Sequence, residues 1–218
     1  MTNFRGSSFK NLGIRIESCE RITCFWTLIF LTNIYLYNSF EGTAIEVLEV
    51  PSSVETIYTN ALEKISGLKV IYAGSENVAK LCKEKMPNLA YCITDGGNLK
   101  MNSTLTSTSF CEVERMGDIF DGWYVGDNKA ASLESGKTYT AKWTPDPNAV
   151  VEGDCSDKDE DNVTWKYERA TKTLTIGGKG KMDSYTSRWS VGPYVPYEKF
   201  KGEIEKVVVK DGIERIGD

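Results

Sequence analysis

The acidic run DCSDKDEDNVTWKYE contains the residues whose spacing comes nearest to a recognisable chemistry. Asp157, Asp159, Asp161 and Glu168 stand at the first, third, fifth and twelfth positions of an EF-hand calcium loop. The sixth position of that loop needs glycine for a sharp turn, and here it is Asn162. An EF-hand also needs a helix on each side, whereas the residues beside this run have no helical pattern. We therefore interpret the run as a solvent-exposed acidic linker and predict no metal site.

The other groups that could do chemistry are also incomplete. The chain has no histidine, which removes the usual general base and the usual metal ligand. Its six cysteines contain no Cys-x-x-Cys pair, so we expect no zinc site; free buried thiols and a Cys82–Cys92 disulfide both stay open. The glycines of GGKGK resemble a phosphate loop, but Thr175 replaces the first glycine and Met182 follows the last lysine. We assign them to a turn and predict a non-catalytic protein without catalytic residues, metal or cofactor.

The balance of charge argues against a nucleic-acid partner. The net charge of −5 comes from 31 acidic and 26 basic residues. Binding to phosphates needs a clustered basic surface, and the sequence contains no such cluster.

The N-terminal segment, residues 1–44, contains the uncharged run Ile22–Tyr37. Its 16 residues fall short of the roughly 20 that a membrane-spanning helix needs. Three interpretations stay open: the buried core of a degenerate repeat, a signal peptide and a membrane anchor. Contact with a membrane is expected only through such a signal or anchor.

The segment Phe120–Trp143 has an aromatic cluster at each end and turn-forming residues between them. Both ends alternate in the manner of strands. Because a small β-unit buries little surface, we expect these rings to form its core, at roughly 150–250 Å² each. The alternative is that Trp123, Tyr124 and Trp143 stack on sugars.

A repeat links two distant parts of the chain. Ile45–Ile57 aligns without gaps on Ile204–Ile216, with five identical residues. Each copy predicts a short strand, a two-residue turn and a second short segment, which is the pattern of a coil stacked on its neighbours. Leu68–Tyr72 reads as another strand, 23 positions after the first copy, and this spacing is typical of leucine-rich repeats.

These segments resemble two families of surface proteins. Residues 45–92 resemble the end of a BspA-like leucine-rich-repeat array, with AGSENVAKLCKEKMPNLAY similar to its closing helix. Residues 163–218 resemble the N-terminal cap and first strand of a second array, which we expect to be truncated. Residues 91–145, with F-D-G-W-Y and T-Y-T-A-K-W, are similar to the Listeria-Bacteroides (internalin-type B) repeat, a small β-grasp-like module. Residues 146–162 form the acidic linker.

The resemblance implies a β-rich α+β fold in which leucine-rich-repeat solenoid pieces flank a small β-grasp-like module. It implies a non-catalytic cell-surface or secreted protein that mediates adhesion by recognising a protein or extracellular-matrix ligand. The alternative is a carbohydrate-binding appendage of a secreted hydrolase, with a glycan as partner. The resemblance assigns no binding residues to this sequence.

Overall fold

The computed structural model describes residues 43–57, 62, 65–100, 104–158, 160–185 and 195–217, together with the backbone of residues 33–34. The hydrophobic run Ile22–Tyr37 therefore lies outside the described residues, apart from residues 33–34.

The chain divides into two compact units. The first contains the residues up to Arg115 and Ile119–Thr144, and the second contains Met116–Asp118 and the residues from Pro145 onwards.

The first unit contains ten strands and one helix within the described residues. In chain order they are β1 Asn33–Ile34, β2 Val47–Val50, β3 Thr56–Ile57, β4 Val70–Ala73, α1 Glu76–Lys85, β5 Ala90–Ile93, β6 Asn98–Leu99, β7 Val113–Glu114, β8 Asp118–Val125, β9 Asn128–Lys129 and β10 Thr138–Pro145.

Six of these strands form one sheet in the order β2-β4-β5-β10-β8-β9. β2, β4 and β5 are parallel, and Val47 pairs with Val70 at the predicted spacing of 23 residues. β5 also pairs in parallel with β10, so strands from residues 45–92 and 91–145 share this sheet. The four residues of β2, of β4 and of β5 are all buried, as in parallel strands that are covered on both faces.

Two apolar clusters cover the two faces of this sheet. α1 packs on one face through Val78, Ala79 and Cys82, and it begins where Ser75 accepts a hydrogen bond from the Val78 amide at 3.3 Å. On the other face, aromatic and aliphatic residues form the second cluster. The buried members of this second cluster are Val47, Val70, Tyr72, Ala90, Cys92, Leu99, Cys111, Val113, Trp123, Tyr139 and Ala141.

The second unit is built on a hairpin. Its strands are β11 Val150–Asp154, β12 Asn162–Glu168, β13 Thr173–Lys181, β14 Lys206–Val209 and β15 Ile213–Arg215, with single 3-10 turns at Arg169–Thr171 and Glu198–Phe200. The sheet order is β11-β12-β13-β14, and β15 pairs with the end of β13.

The alternation of Val163, Trp165 and Tyr167 with polar residues, followed by a turn and a second apolar segment, predicts a hairpin after the acidic run, and the structure confirms it. β12 and β13 are antiparallel, and Trp165 pairs with Ile176. The chain turns through Arg169–Thr171, and Lys172 adopts the left-handed conformation, with φ of 50°. The buried side chains of these strands pack with Phe200 in one core cluster.

Two local features differ from the sequence interpretation. The proposed linker contains β11, which pairs antiparallel with β12, because Gly153 leaves room for the Trp165 indole against the strand. The glycines of GGKGK are not a turn, because β13 continues through them to Lys181. A Cβ on Gly178 would collide with the carbonyl oxygen of Asn162, so glycine allows β12 and β13 to stay close.

Candidate functional site

Trp123, at one end of the Phe120–Trp143 segment, points into the core of the first unit. Trp123 is only 3% exposed. Its ring centroid lies 5.7 Å from that of Tyr72 and 5.6 Å from that of Phe110. The prediction that this ring builds the core is therefore confirmed, and its face is closed to a sugar.

Trp143, at the other end of the segment, is half-buried and held by specific contacts. Its indole nitrogen donates a hydrogen bond to the Thr94 carbonyl at 3.0 Å. Gly97 lies beneath the ring, where a Cβ would approach the indole to 2.6 Å, and the Arg115 guanidinium lies 5.0 Å from the ring centroid. Trp143 therefore fixes the turn after β5, which is a structural role.

Tyr124 is the third ring of the sugar-stacking interpretation. It is half-buried, and the Lys142 ammonium group lies 4.4 Å from its ring centroid. A cation over an aromatic face occupies the surface on which a sugar would stack.

The four described cysteines are free and buried. Cys82 lies in the cluster beneath α1, and Cys92 lies in the cluster on the opposite face of the sheet. A disulfide between them would have to cross the sheet, so that alternative is wrong for this fold. Burial raises the pKa of Cys82 to about 12 and that of Cys155 to about 11, which leaves both thiols protonated near neutral pH.

The acidic run does not gather its carboxylates around one point. Asp157 pairs with Arg215 at 2.9 Å, and Asp161 accepts a hydrogen bond from the Lys181 amide at 3.1 Å. Glu168 ends β12 and pairs with Lys166 at 2.7 Å, while Asp159 lies outside the described residues. Among the residues that the structure describes, no group of three acidic or cysteine side chains is placed to hold a metal ion.

A groove of about 610 Å³ lies on the first unit, beside α1 and the ends of β5 and β10. Its lining mixes acidic, basic and neutral side chains, including Glu76, Lys80, Lys83, Asp95 and Thr140. This mixture of charges favours no single class of ligand.

A cluster of charged groups in the second unit is centred on Arg169, whose side chain is 10% exposed. Its guanidinium donates to Glu203 at 2.8 Å and to the Asp146 carbonyl at 3.0 Å, and it also donates to the Gly117 carbonyl. Asp118, 3% exposed, lies 3.6 Å from the same guanidinium. The hydrogen bond from Arg169 lowers the pKa of Glu203 below its ordinary value. The cluster therefore holds together the segments around residues 117, 146 and 203. The last of these segments lies just before β14.

Three exposed apolar residues of the second unit lie on β14 and in the segment after it. We call Val207, Val209 and Ile216 the apolar stripe; they are 58%, 43% and 55% exposed. The equivalent residues in the aligned copy of the repeat are Leu48, Val50 and Ile57. They are only 1%, 0% and 6% exposed. The repeat pattern identified these positions, but the sequence does not indicate which copy is covered. Val207 and Val209 share one face of β14 because they are two residues apart, and we take the apolar stripe as the candidate interaction site.

Comparison with known proteins adds no family to this description. Scans against the profiles of known protein families, the curated proteins and the solved structures gave no match to the chain. None of the helices in the described ranges combines the length and the apolar character that are needed to cross a bilayer.

Proposed function

We propose that this chain is a non-catalytic recognition protein of the cell surface or the extracellular space, which mediates adhesion by binding a protein or extracellular-matrix ligand. The observation that carries the proposal is the apolar stripe. Side chains that are buried in one copy of the repeat are exposed in the other, and apolar residues that face solvent together favour a binding role.

We also propose that the two copies of the repeat are coils of the leucine-rich-repeat kind. Both copies consist of a strand, a turn and a second short strand, as β2 with β3 and as β14 with β15. Each copy also pairs in parallel with a neighbouring strand of its own unit. Stacked coils of this kind present extended surfaces, which suit recognition of another protein.

The proposal of a non-catalytic role rests on the residue types that the sequence provides. With no histidine, proton transfer near neutral pH would depend on carboxylates, thiols or amines with suitably shifted pKa values. The described thiols with resolved pKa shifts move away from neutrality, because burial raises their pKa values. The Glu203 carboxylate is engaged by Arg169.

A binding panel tests this function. The purified chain is immobilised and exposed to fibronectin, laminin, fibrillar collagen and fibrinogen, with serum albumin as the control for nonspecific adsorption. We expect saturable binding to at least one matrix protein and none to albumin. The absence of saturable binding across the panel would contradict the proposed class of partner.

The same preparation tests the glycan alternative. A glycan panel is titrated while intrinsic tryptophan fluorescence is recorded. Tyr124→Ala serves as the variant because, of the two half-buried rings of the stacking hypothesis, Trp143 also fixes the turn after β5. Sugar-specific quenching that Tyr124→Ala removes, without binding to matrix proteins, would favour the carbohydrate-binding appendage over our proposal.

A further inference from the structure

We propose that Cys92 and Cys111 form a disulfide bond when the chain folds in an oxidising compartment. Both residues belong to the second apolar cluster of the first unit, where they are 0% and 3% exposed. Of the four cysteines that the structure describes, these two alone share a cluster, because Cys82 lies on the opposite face of the sheet and Cys155 lies in the second unit. The inference goes beyond the proposed function and rests on it only for the oxidising location.

Tyr72 brings the two cysteines together. It pairs with Cys92 in the register of the parallel strands β4 and β5, so their side chains lie next to each other on one face of the sheet. The Tyr72 hydroxyl accepts a hydrogen bond from the Cys111 amide at 2.7 Å. The same hydroxyl is within hydrogen-bonding range of both thiol groups. The two sulfur atoms are therefore neighbours of one oxygen atom.

Cys111 lies in a segment that can adjust to the bond. The described residues 104–112 form neither a helix nor a strand. Within this segment, the Cys111 thiol donates a hydrogen bond to the Thr106 carbonyl at 3.5 Å. A disulfide usually needs Cα atoms about 4.4–6.8 Å apart, and backbone outside a strand ladder can move to meet that requirement. Cys92 is fixed within β5, so one partner is held and the other can adapt.

The chemistry is a thiol–disulfide exchange with a small disulfide such as oxidised glutathione. The Cys111 thiolate attacks one sulfur of the oxidant, which forms a mixed disulfide and releases one glutathione thiolate. The Cys92 thiolate then attacks the Cys111 sulfur and releases the second glutathione. Two protein thiols are oxidised to one disulfide, the oxidant is reduced to two thiols, and the two protons lost by the cysteines are taken up by the glutathione thiolates.

The bond is expected to form before the core closes around the two thiols. Burial raises the pKa of the Cys92 thiol, and the hydrogen bond with Tyr72 offsets only part of this rise. In the folded, reduced chain the Cys92 thiol is therefore protonated near neutral pH, and both sulfur atoms are shielded from a dissolved oxidant. In the unfolded chain both thiols are accessible. We therefore expect fast oxidation during folding and slow oxidation afterwards.

The bond would connect the middle of the sheet to the segment that covers it. β5 lies between β4 and β10 in the six-stranded sheet, and Cys111 precedes β7 in the cluster on its face. The disulfide closes a loop that runs from residue 92 to residue 111. Closing this loop restricts the unfolded chain and so stabilises the folded first unit.

The test is oxidative refolding followed by peptide mapping. The chain is unfolded and reduced in urea with dithiothreitol, desalted, and refolded with a mixture of reduced and oxidised glutathione. Free thiols are then alkylated, and the chain is digested with trypsin without reduction. We expect the tryptic peptides of residues 86–100 and 101–115 to be linked, since they contain Cys92 and Cys111 and no other cysteine. The same oxidant added to the folded, reduced chain should link them at least about tenfold more slowly.

Two variants and one comparison show whether the bond belongs to the native fold. The urea midpoint of the first unit, reported by modification of Cys82, should be about 1 M higher for the oxidised chain than for the reduced chain, because the bond restricts the unfolded state. Cys111→Ser should abolish both the linkage and this difference. Cys155→Ser is the matched control, since it removes a buried cysteine of the second unit and should leave both unchanged.

Three outcomes would overturn the inference: the two peptides stay unlinked, either cysteine is linked to another cysteine of the chain, or the midpoint of the first unit does not rise on oxidation. The result is separable from the proposed function. Linked peptides in a chain that binds no matrix protein would retain the disulfide and reject the function. Binding to a matrix protein by a chain whose peptides stay unlinked would do the reverse.

Discussion

The two copies of the repeat have similar backbones and opposite environments. In the first unit, β2 lies in a sheet with β4 beside it and α1 over one face, and all four of its residues are buried. In the second unit, β14 has the same strand-and-turn form, but three of its four residues are exposed. The local sequence determines the shape of the unit, whereas the neighbouring strand determines whether its apolar residues are buried.

The two copies are also stabilised by different kinds of interaction, apolar packing in the first and ion pairs in the second. Apolar residues of β4 and α1 cover the first copy. The second is preceded by Glu203, which joins the Arg169 cluster, so an ion-pair network lies where the chain enters the coil. Hydrophobic burial contributes in proportion to the area that is covered, while ion pairs contribute chiefly where they are shielded from water.

The largest expected difference between the copies comes from truncating equivalent residues. Leu48→Ala should cost about 3 kcal/mol of unfolding free energy, because it removes buried methyl groups and leaves a cavity. Val207→Ala should change stability by less than about 0.5 kcal/mol, because the side chain already faces solvent.

The buried thiols allow the two units to be measured separately. Cys82 reports on the first unit and Cys155 on the second, and thiol alkylation across a urea series, followed by peptide mass spectrometry, gives a midpoint for each. A loss for Val207→Ala as large as that for Leu48→Ala would break the comparison, since it would mean that β14 is covered in solution.

The next effect tests the ion network that supports the second copy. Arg169→Ala should lower the stability reported by Cys155 by about 2 kcal/mol, because it removes the guanidinium that donates to Glu203 and to the Asp146 carbonyl, while the buried Asp118 carboxylate keeps its ion pair with Lys199 at 2.5 Å. Lys172→Ala is the matched control, since its ion pair with Glu205 is exposed on both sides and should contribute less than about 1 kcal/mol. Similar losses for both variants would mean that the cluster around Arg169 has no special role.

Local patterns predicted much of each unit. The alternation of Val163, Trp165 and Tyr167 indicated β12, because successive side chains of a strand point to opposite faces. The helix α1 was expected from the resemblance of the segment after β4 to the closing helix of a repeat array. The alignment of the two copies predicted a strand, a turn and a second short segment in each copy, and in both copies the second segment contains a strand.

The features that the sequence did not indicate depend on contacts between distant residues. β11 is half polar, and it becomes a strand because β12 offers an edge and Gly153 accommodates the Trp165 indole. Arg169 gave no signal, since its acidic partners Asp118 and Glu203 are far away along the chain. The candidate site was missed for the same reason, because exposure of β14 depends on which strand lies beside it.

The smallest expected effect compares two acidic residues near the starts of the copies, Glu46 just inside the first and Glu203 just before the second. The pKa of Glu203 is lowered by its hydrogen bond from Arg169, and that of Glu46 by its hydrogen bond from Lys69. A lowered pKa in the folded state means that the unfolded chain takes up the proton first as the pH falls. The stabilisation is therefore present above the ordinary pKa of glutamate and is lost as the pH falls through the lowered value.

Replacing each glutamate with glutamine should remove this dependence from its own unit. Glu203→Gln should flatten the decline of the Cys155 midpoint between about pH 5 and pH 2, by less than about 1 kcal/mol because Glu203 is partly exposed. Glu46→Gln should change the Cys82 midpoint less, since both members of its pair lie at the surface and water screens them. Urea series at pH 7, 5 and 3 measure both slopes, with a dithiodipyridine as the thiol reagent because it reacts at acid pH, where alkylation is too slow. A larger change from Glu46→Gln would reverse the assignment, because it would place the stronger electrostatic support in the copy that apolar neighbours already cover.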